Sequence, residues 1–113
     1  MRVGGAPPTI ASISARYPVV WCEKSGPTYA GSLVLGPSSL TLDGAVGGAR
    51  NVVELLYNQL VRVRMASGRG ERMRGQPTLV VDTNGRSLRI AAVGGAGVMS
   101  EVADALTRAI PVA

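Results

Sequence analysis

"NVVELLYNQLVRVRMA", residues 51 to 66, can be read in two ways, and the choice decides the architecture. Its middle, VVELLYNQLV, carries apolar residues at a 3.6-residue spacing and would make one amphipathic helix. Its second half resists that reading. Val61, Val63 and Met65 alternate with Arg62 and Arg64, a period of two, which belongs to a strand with one face toward a core. Asn58 and Gln59 separate the two apolar runs. We therefore read two short strands, 51–57 and 60–66, joined by a sharp bend, with Val61, Val63 and Met65 directed inward.

Once this stretch is taken as strands, the rest of the chain falls into the same class. YPVVWCEK (17–24) is rich in β-branched and aromatic residues and is stopped by SGPT. YAGSLVL (29–35) and SLTLDGA (39–45) both alternate, with the turn GPS between them, and VGGAR opens the next loop. PTLVVD (77–82) and SLRIAAV (87–93) flank Asn84-Gly85, a pair that tolerates positive φ and is the strongest short-range hairpin signal. The period then changes. In VMSEVADALTRAI (98–110), Val98, Val102, Leu106 and Ala109 or Ile110 lie on one helical stripe, widened by Met99 and Ala103. Glu101 and Asp104 toward its start and Arg108 toward its end suit the helix dipole, and Pro111 ends it. The expectation is a mainly β domain of seven antiparallel strands, barrel or sandwich, with one C-terminal helix covering its open end. Residues 1–15 read as a loose arm and 16–113 as a single domain.

A chain of 113 residues can bury one core. It has no apolar run of about 18 residues, and its start lacks the apolar block of a secretory leader. A cytoplasmic location is the default expectation, with peripheral attachment to a membrane as the variant. The single Cys22, in VVWC, reads as a structural thiol. Twelve basic against seven acidic residues give a net charge of +5, which permits an anionic partner without choosing one.

Catalytic chemistry has little to work with. Histidine is absent, which removes the commonest general base and metal ligand. The carboxylates Glu23, Asp43, Glu54, Glu71, Asp82, Glu101 and Asp104 are scattered. Gly94, Gly95 and Gly97 stand between a strand and a helix, but no strand follows that helix, so the dinucleotide pattern is incomplete. We expect no enzyme, no cofactor and no metal.

The candidate site lies where the deciding stretch runs into LVRVRMASGRGERMRGQP (60–77), which holds Arg62, Arg64, Arg69, Arg72 and Arg74 against Glu71 alone. Arg62 and Arg64 share a strand face about 7 Å apart, and the loop can bring Arg69, Arg72 and Arg74 over them to grip phosphates or carboxylates. The competing reading is an outward strand face followed by a solvated hairpin loop. Nucleic acid is the less favoured partner, because no aromatic residue follows Tyr57 to stack on bases.

The paired strands GSLVLGPSSLTLDG, the bent VVELLYNQLVRVRM, the hairpin TLVVDTNGRSLRI and the closing helix resemble, in order and pattern, the pleckstrin-homology-like superfold with its bacterial and GRAM-like members. The resemblance spans about residues 17–110. It implies a barrel scaffold whose loops carry the function, with lipid binders, protein binders and oligomerising modules among its members. Phosphoinositide-binding members place basic residues on the first two strands and the loop between them. Here Lys24 is present, but Ser32 and Val34 stand where an arginine pair would be. The resemblance thus implies a non-catalytic module that binds a protein partner or itself. Electrostatic attachment to anionic lipid through Arg62–Arg74 with Lys24 is the alternative, and RNA or DNA binding the second.

Overall fold

A computed structural model describes residues 15–23, 26–68, 70, 72–93 and 97–109; the side chain of Arg74 lies outside the described set. Except for Ala15, the proposed arm therefore lies outside the described residues, as do Lys24, Arg69, Gly94, Gly95 and Ile110.

Seven strands precede one helix: β1 Ala15–Glu23, β2 Tyr29–Leu35, β3 Ser39–Val46, β4 Ala49–Leu56, β5 Leu60–Met65, β6 Thr78–Thr83, β7 Arg86–Ala92 and α1 Gly97–Ala109. They form one antiparallel sheet in the order β4-β3-β2-β1-β7-β6-β5. Its two ends, β4 and β5, are consecutive in the chain and joined only by a 3-10 turn, Tyr57–Gln59. The sheet must therefore curl back on itself into a half-barrel. The deciding stretch is two strands with a bend, and the bend is held from outside. Tyr57 donates its hydroxyl to the Gly36 carbonyl at 2.7 Å and its amide to Ser38 at 3.0 Å, while Gln59 accepts from the Leu56 amide at 3.1 Å.

The concave face holds the core. Leu33, Leu42 and Val53 stand in register across β2, β3 and β4. Val63, Val81 and Leu88 do so across β5, β6 and β7, and Leu79, Ile90 and Trp21 across β6, β7 and β1. Apart from the half-buried Val63, all are buried, and all share one cluster with Met99, Val102 and Leu106 of the helix. The helix packs on β5, β6 and β7. Its buried stripe is Met99, Val102 and Leu106; Val98, expected to lead the stripe, is only partly buried. Glu101 is not a first-turn charge but accepts the Tyr17 hydroxyl at 3.0 Å, tying the helix to β1. Burial of Tyr17, reinforced by this carboxylate, pushes its pKa up.

Two local readings are corrected. Val61, 60% exposed, does not face the core, and Met65, though on the core side opposite Leu79, is 38% exposed and does not join the cluster. The pairing of β5 with β6 shifts register between Leu60 and Arg62, so Val61 sits at a bulge. A bulge inserts one unpaired residue and resets which side chains point inward, here leaving Leu60 and Val63 in the core. Met65, at the strand's end, runs past the edge of the cluster. The loop expected at VGGAR is only a two-residue turn at Gly47 and Gly48. With φ of 54° and 86° they form a two-residue hairpin turn closed by Val46 and Ala49, the positive-φ geometry that matches strand twist.

Candidate functional site

The arginine-bearing segment begins on the convex face of β5. Because Val63 points to the core, Arg62 and Arg64 point away from it, opposite Asp82 and Val80 of β6. Arg62 is exposed and its Nε lies 3.9 Å from Asp82, a loose ion pair; Arg64 is half-buried. The row continues: Val80 pairs with Arg89 of β7, which pairs with Cys22 of β1. Arg64 and Arg89 therefore stand on one face about 10 Å apart, two strand spacings. Arg89, absent from the sequence-derived set, joins the patch because β7 lies two strands from β5.

The described residues of the connection after β5 are mostly exposed, but hydrogen bonds pin it to the sheet. It folds back across the convex face. Ala66 donates to the Thr78 carbonyl at 2.7 Å, and Arg89 reaches the Gly70 carbonyl at 3.3 Å. Thr78, 1% exposed, accepts from the Met73 amide and donates to the Gln76 carbonyl, both at 2.9 Å. Met73, Val80 and Ala91 are buried, yet none belongs to the main core cluster. They form a second, small apolar layer on the opposite side of the sheet, with the described residues around Met73 as its roof. Arg72 projects from this roof into solvent. The site residues thus divide as follows: Arg62, Arg64 and Arg72 lie on or above one convex face, with Arg89 added. The contributions of Lys24, Arg69 and the Arg74 side chain lie outside the described residues.

Replacing Thr78 with valine keeps the volume but strands the Met73 amide and the Gln76 carbonyl, at a cost of about 1–3 kcal/mol. In T78V the Met73 amide should lose hydrogen-exchange protection before the core amides do. Retention of that protection would show that the roof is held otherwise.

Three further arginines have partners on neighbouring strands. Arg86 forks Glu23 at 2.6 and 3.0 Å, and these hydrogen bonds hold the Glu23 carboxyl below its usual range against the opposing effect of burial. Arg50 forks Asp43 at 2.8 and 3.2 Å. Arg16 donates to the Ser32 hydroxyl at 3.2 Å, which gives the first two strands a cation that the reading around Lys24 overlooked. Two polar clefts flank Arg86. One, about 510 Å³, is lined by Glu23, Asp82, Thr83, Gly85, Arg86 and Ser87. The other, about 430 Å³, lies between the Tyr57–Gln59 turn and the β6–β7 hairpin. Among the described residues no group of His, Cys, Asp and Glu is placed to hold a metal ion, and no helix is long and apolar enough to cross a membrane.

The second feature is the pair of sheet ends. β4 exposes Val52 at 54% and Leu56 at 41%, alternating with the charged Arg50 and Glu54. β5 exposes Val61 beside Arg62. The sequence displays the alternation of β4, but not its position at a sheet end.

No family model and no curated protein matches the chain. Among solved structures, the C-terminal domain of an unknown protein from Leishmania infantum is similar, with a TM-score of 0.60 and 14% identity over 82% of each chain. At that identity the likeness is one of fold alone.

Proposed function

We propose that the protein is a non-catalytic interaction module on a pleckstrin-homology-like scaffold, binding a protein partner or a second copy of itself. The strand order with its closing C-terminal helix supports the scaffold reading. One observation carries the interaction reading: the half-barrel is open, and both its terminal strands present apolar side chains, Val52, Leu56 and Val61, to solvent. Exposed edges of this kind are what strand-addition partners use. A photo-crosslinking residue at Val52 should trap a protein, this chain or another, in a native extract. The same residue at Thr107, on the exposed helix face, should trap none. A chain that stays monomeric at all concentrations and yields no adduct from Val52 would overturn the reading.

A second reading has its own support. Arg62, Arg64 and Arg89 share the convex face below Arg72, which suits a surface bearing anionic lipid headgroups. Each arginine near such a surface contributes about 1 kcal/mol. Reversing Arg62 and Arg72 to glutamate should therefore lower partition onto acidic liposomes by a factor of ten or more, as roughly 1.4 kcal/mol is tenfold. The residual binding should fade with salt. Equal partition of variant and wild type, or none by the wild type at low salt, would remove this reading. A steep salt slope with RNA instead of liposomes would favour nucleic acid.

A further inference from the structure

We infer that β4 is a self-pairing edge: two copies join antiparallel about a two-fold axis at Val52, so that Arg50 of each faces Glu54 of the other. This rests on the interaction-module reading and names its partner and surface.

The two sheet ends differ in how they are protected. β5 carries the register shift at Val61 and packs against α1; a bulge twists an edge away from incoming strands. β4 has neither device among the described residues. It pairs with β3 in unbroken register from Val46–Ala49 to Ser39–Leu56, and among the described residues no strand pairs with its other side.

Hydrogen-bond parity states which backbone groups are available. A two-residue turn is closed by a hydrogen-bonded pair, here Val46 and Ala49. Alternation then commits Ala49, Asn51, Val53 and Leu55 to β3, and turns the N–H and C=O groups of Arg50, Val52, Glu54 and Leu56 outward. The Leu56 amide agrees: it donates to the Gln59 side chain, not to β3. Among the described residues, the outward groups of Arg50, Val52 and Glu54 have no partner strand.

A two-fold antiparallel pairing must match outward residues with outward residues, so the paired numbers sum to an even value. A sum of 100 sets Arg50 against Arg50, and 108 sets Glu54 against Glu54. Sums of 102 and 106 set charged residues against Val52 or Leu56. Only 104 sets Val52 on Val52 and both Arg50 residues on Glu54 residues. Like charges directly opposite destabilise a strand pair and opposite charges stabilise it, so the side chains select this register. It also lays Leu56 over Gly48, which has no side chain to obstruct it. Within the chain Glu54 receives the Ser39 hydroxyl at 2.9 Å, and Arg50 already holds Asp43. Pairing would extend these into Asp43–Arg50–Glu54–Ser39 chains across the axis, one on each side of Val52.

The charges on β4 have an opposite explanation, since edge charges also serve to block pairing. Charge reversal separates the two. The full chain should sediment at twice its 11.6 kDa mass, with a concentration-dependent return to monomer. Arg50→Glu and Glu54→Arg should each weaken dimerisation about tenfold, from two like-charge contacts per dimer. An equimolar mixture of the two variants should recover wild-type affinity as a heterodimer, because one copy then carries only glutamates and the other only arginines. Val52→Pro should abolish the dimer while leaving far-ultraviolet circular dichroism unchanged, because the Val52 amide does not serve β3. If the wild type is monomeric, or charge reversal leaves its association unchanged, or the mixture shows no recovery, the self-pairing edge is wrong. Association that survives these variants would leave the module reading in place with a different surface. A monomer that still gives an adduct with another protein from Val52 would do so with a different partner.

Discussion

Gly31→Ala is expected to cost about 4–5 kcal/mol, at the upper end of single-residue effects and a large part of the roughly 5–15 kcal/mol that holds a domain of this size. Gly31 of β2 lies opposite Gly44 of β3. A Cβ at Gly31 would collide with the Asp43 carbonyl oxygen and stand only 2.6 Å from the Gly44 Cα. Both are backbone atoms, so no rotamer change relieves the overlap; β2 and β3 would have to separate. Urea denaturation followed by the fluorescence of the single Trp21 reads the loss directly. A midpoint within about 1 kcal/mol of wild type would show that the two strands can part without cost to the core.

Trp21→Ala should be nearly as severe, at about 3–5 kcal/mol. The indole is fully buried, stacks on Tyr29 with ring centroids 4.6 Å apart, and donates its N–H to the Asp43 carbonyl at 3.1 Å. Gly44 is the other half of this arrangement: a Cβ there would stand 2.9 Å from the indole nitrogen and 2.8 Å from the Tyr29 Cβ. Trp21→Phe keeps most of the ring and forfeits the N–H donated to the part-buried Asp43 carbonyl, a loss of about 0.5–1.5 kcal/mol. If thermal melts followed by circular dichroism place both variants equally far below wild type, the hydrogen bond and not the burial sets the stability of this corner.

The Trp21 corner and the proposed edge are connected through β3. Asp43 accepts the indole with its carbonyl and holds Arg50 with its carboxylate. Arg50 is in turn the cation that the self-pairing register needs. The core residue that fixes the β3 backbone therefore also bears on where the Arg50 guanidinium lies, and Arg50→Glu tests the edge without removing anything from the core.

Much of this fold is written in local pattern. Asn84-Gly85 marks its hairpin because positive φ is a property of those two residues, and Gly85 adopts φ 91°. The alternation of YAGSLVL places Leu33 inward because a strand has a period of two wherever it lies. The same local rules placed Arg62 and Arg64 outward together. What they cannot supply is the neighbour. Val61 leaves the core because β5 meets β6 with a register shift, and register is set by the partner strand. The stretch around Met73 is a roof because Val80 is apolar on the convex face; the consecutive apolar residues Leu79, Val80 and Val81 of TLVV hinted at a strand covered on both sides, but not at what covers it. Arg89 joins the arginine patch, and β4 becomes an edge, only through the order β4-β3-β2-β1-β7-β6-β5. Periodicity is a property of adjacent residues and survives in the unfolded chain. Strand order and register exist only once distant segments share hydrogen bonds and a core, and there the arginine patch and the open edge are decided.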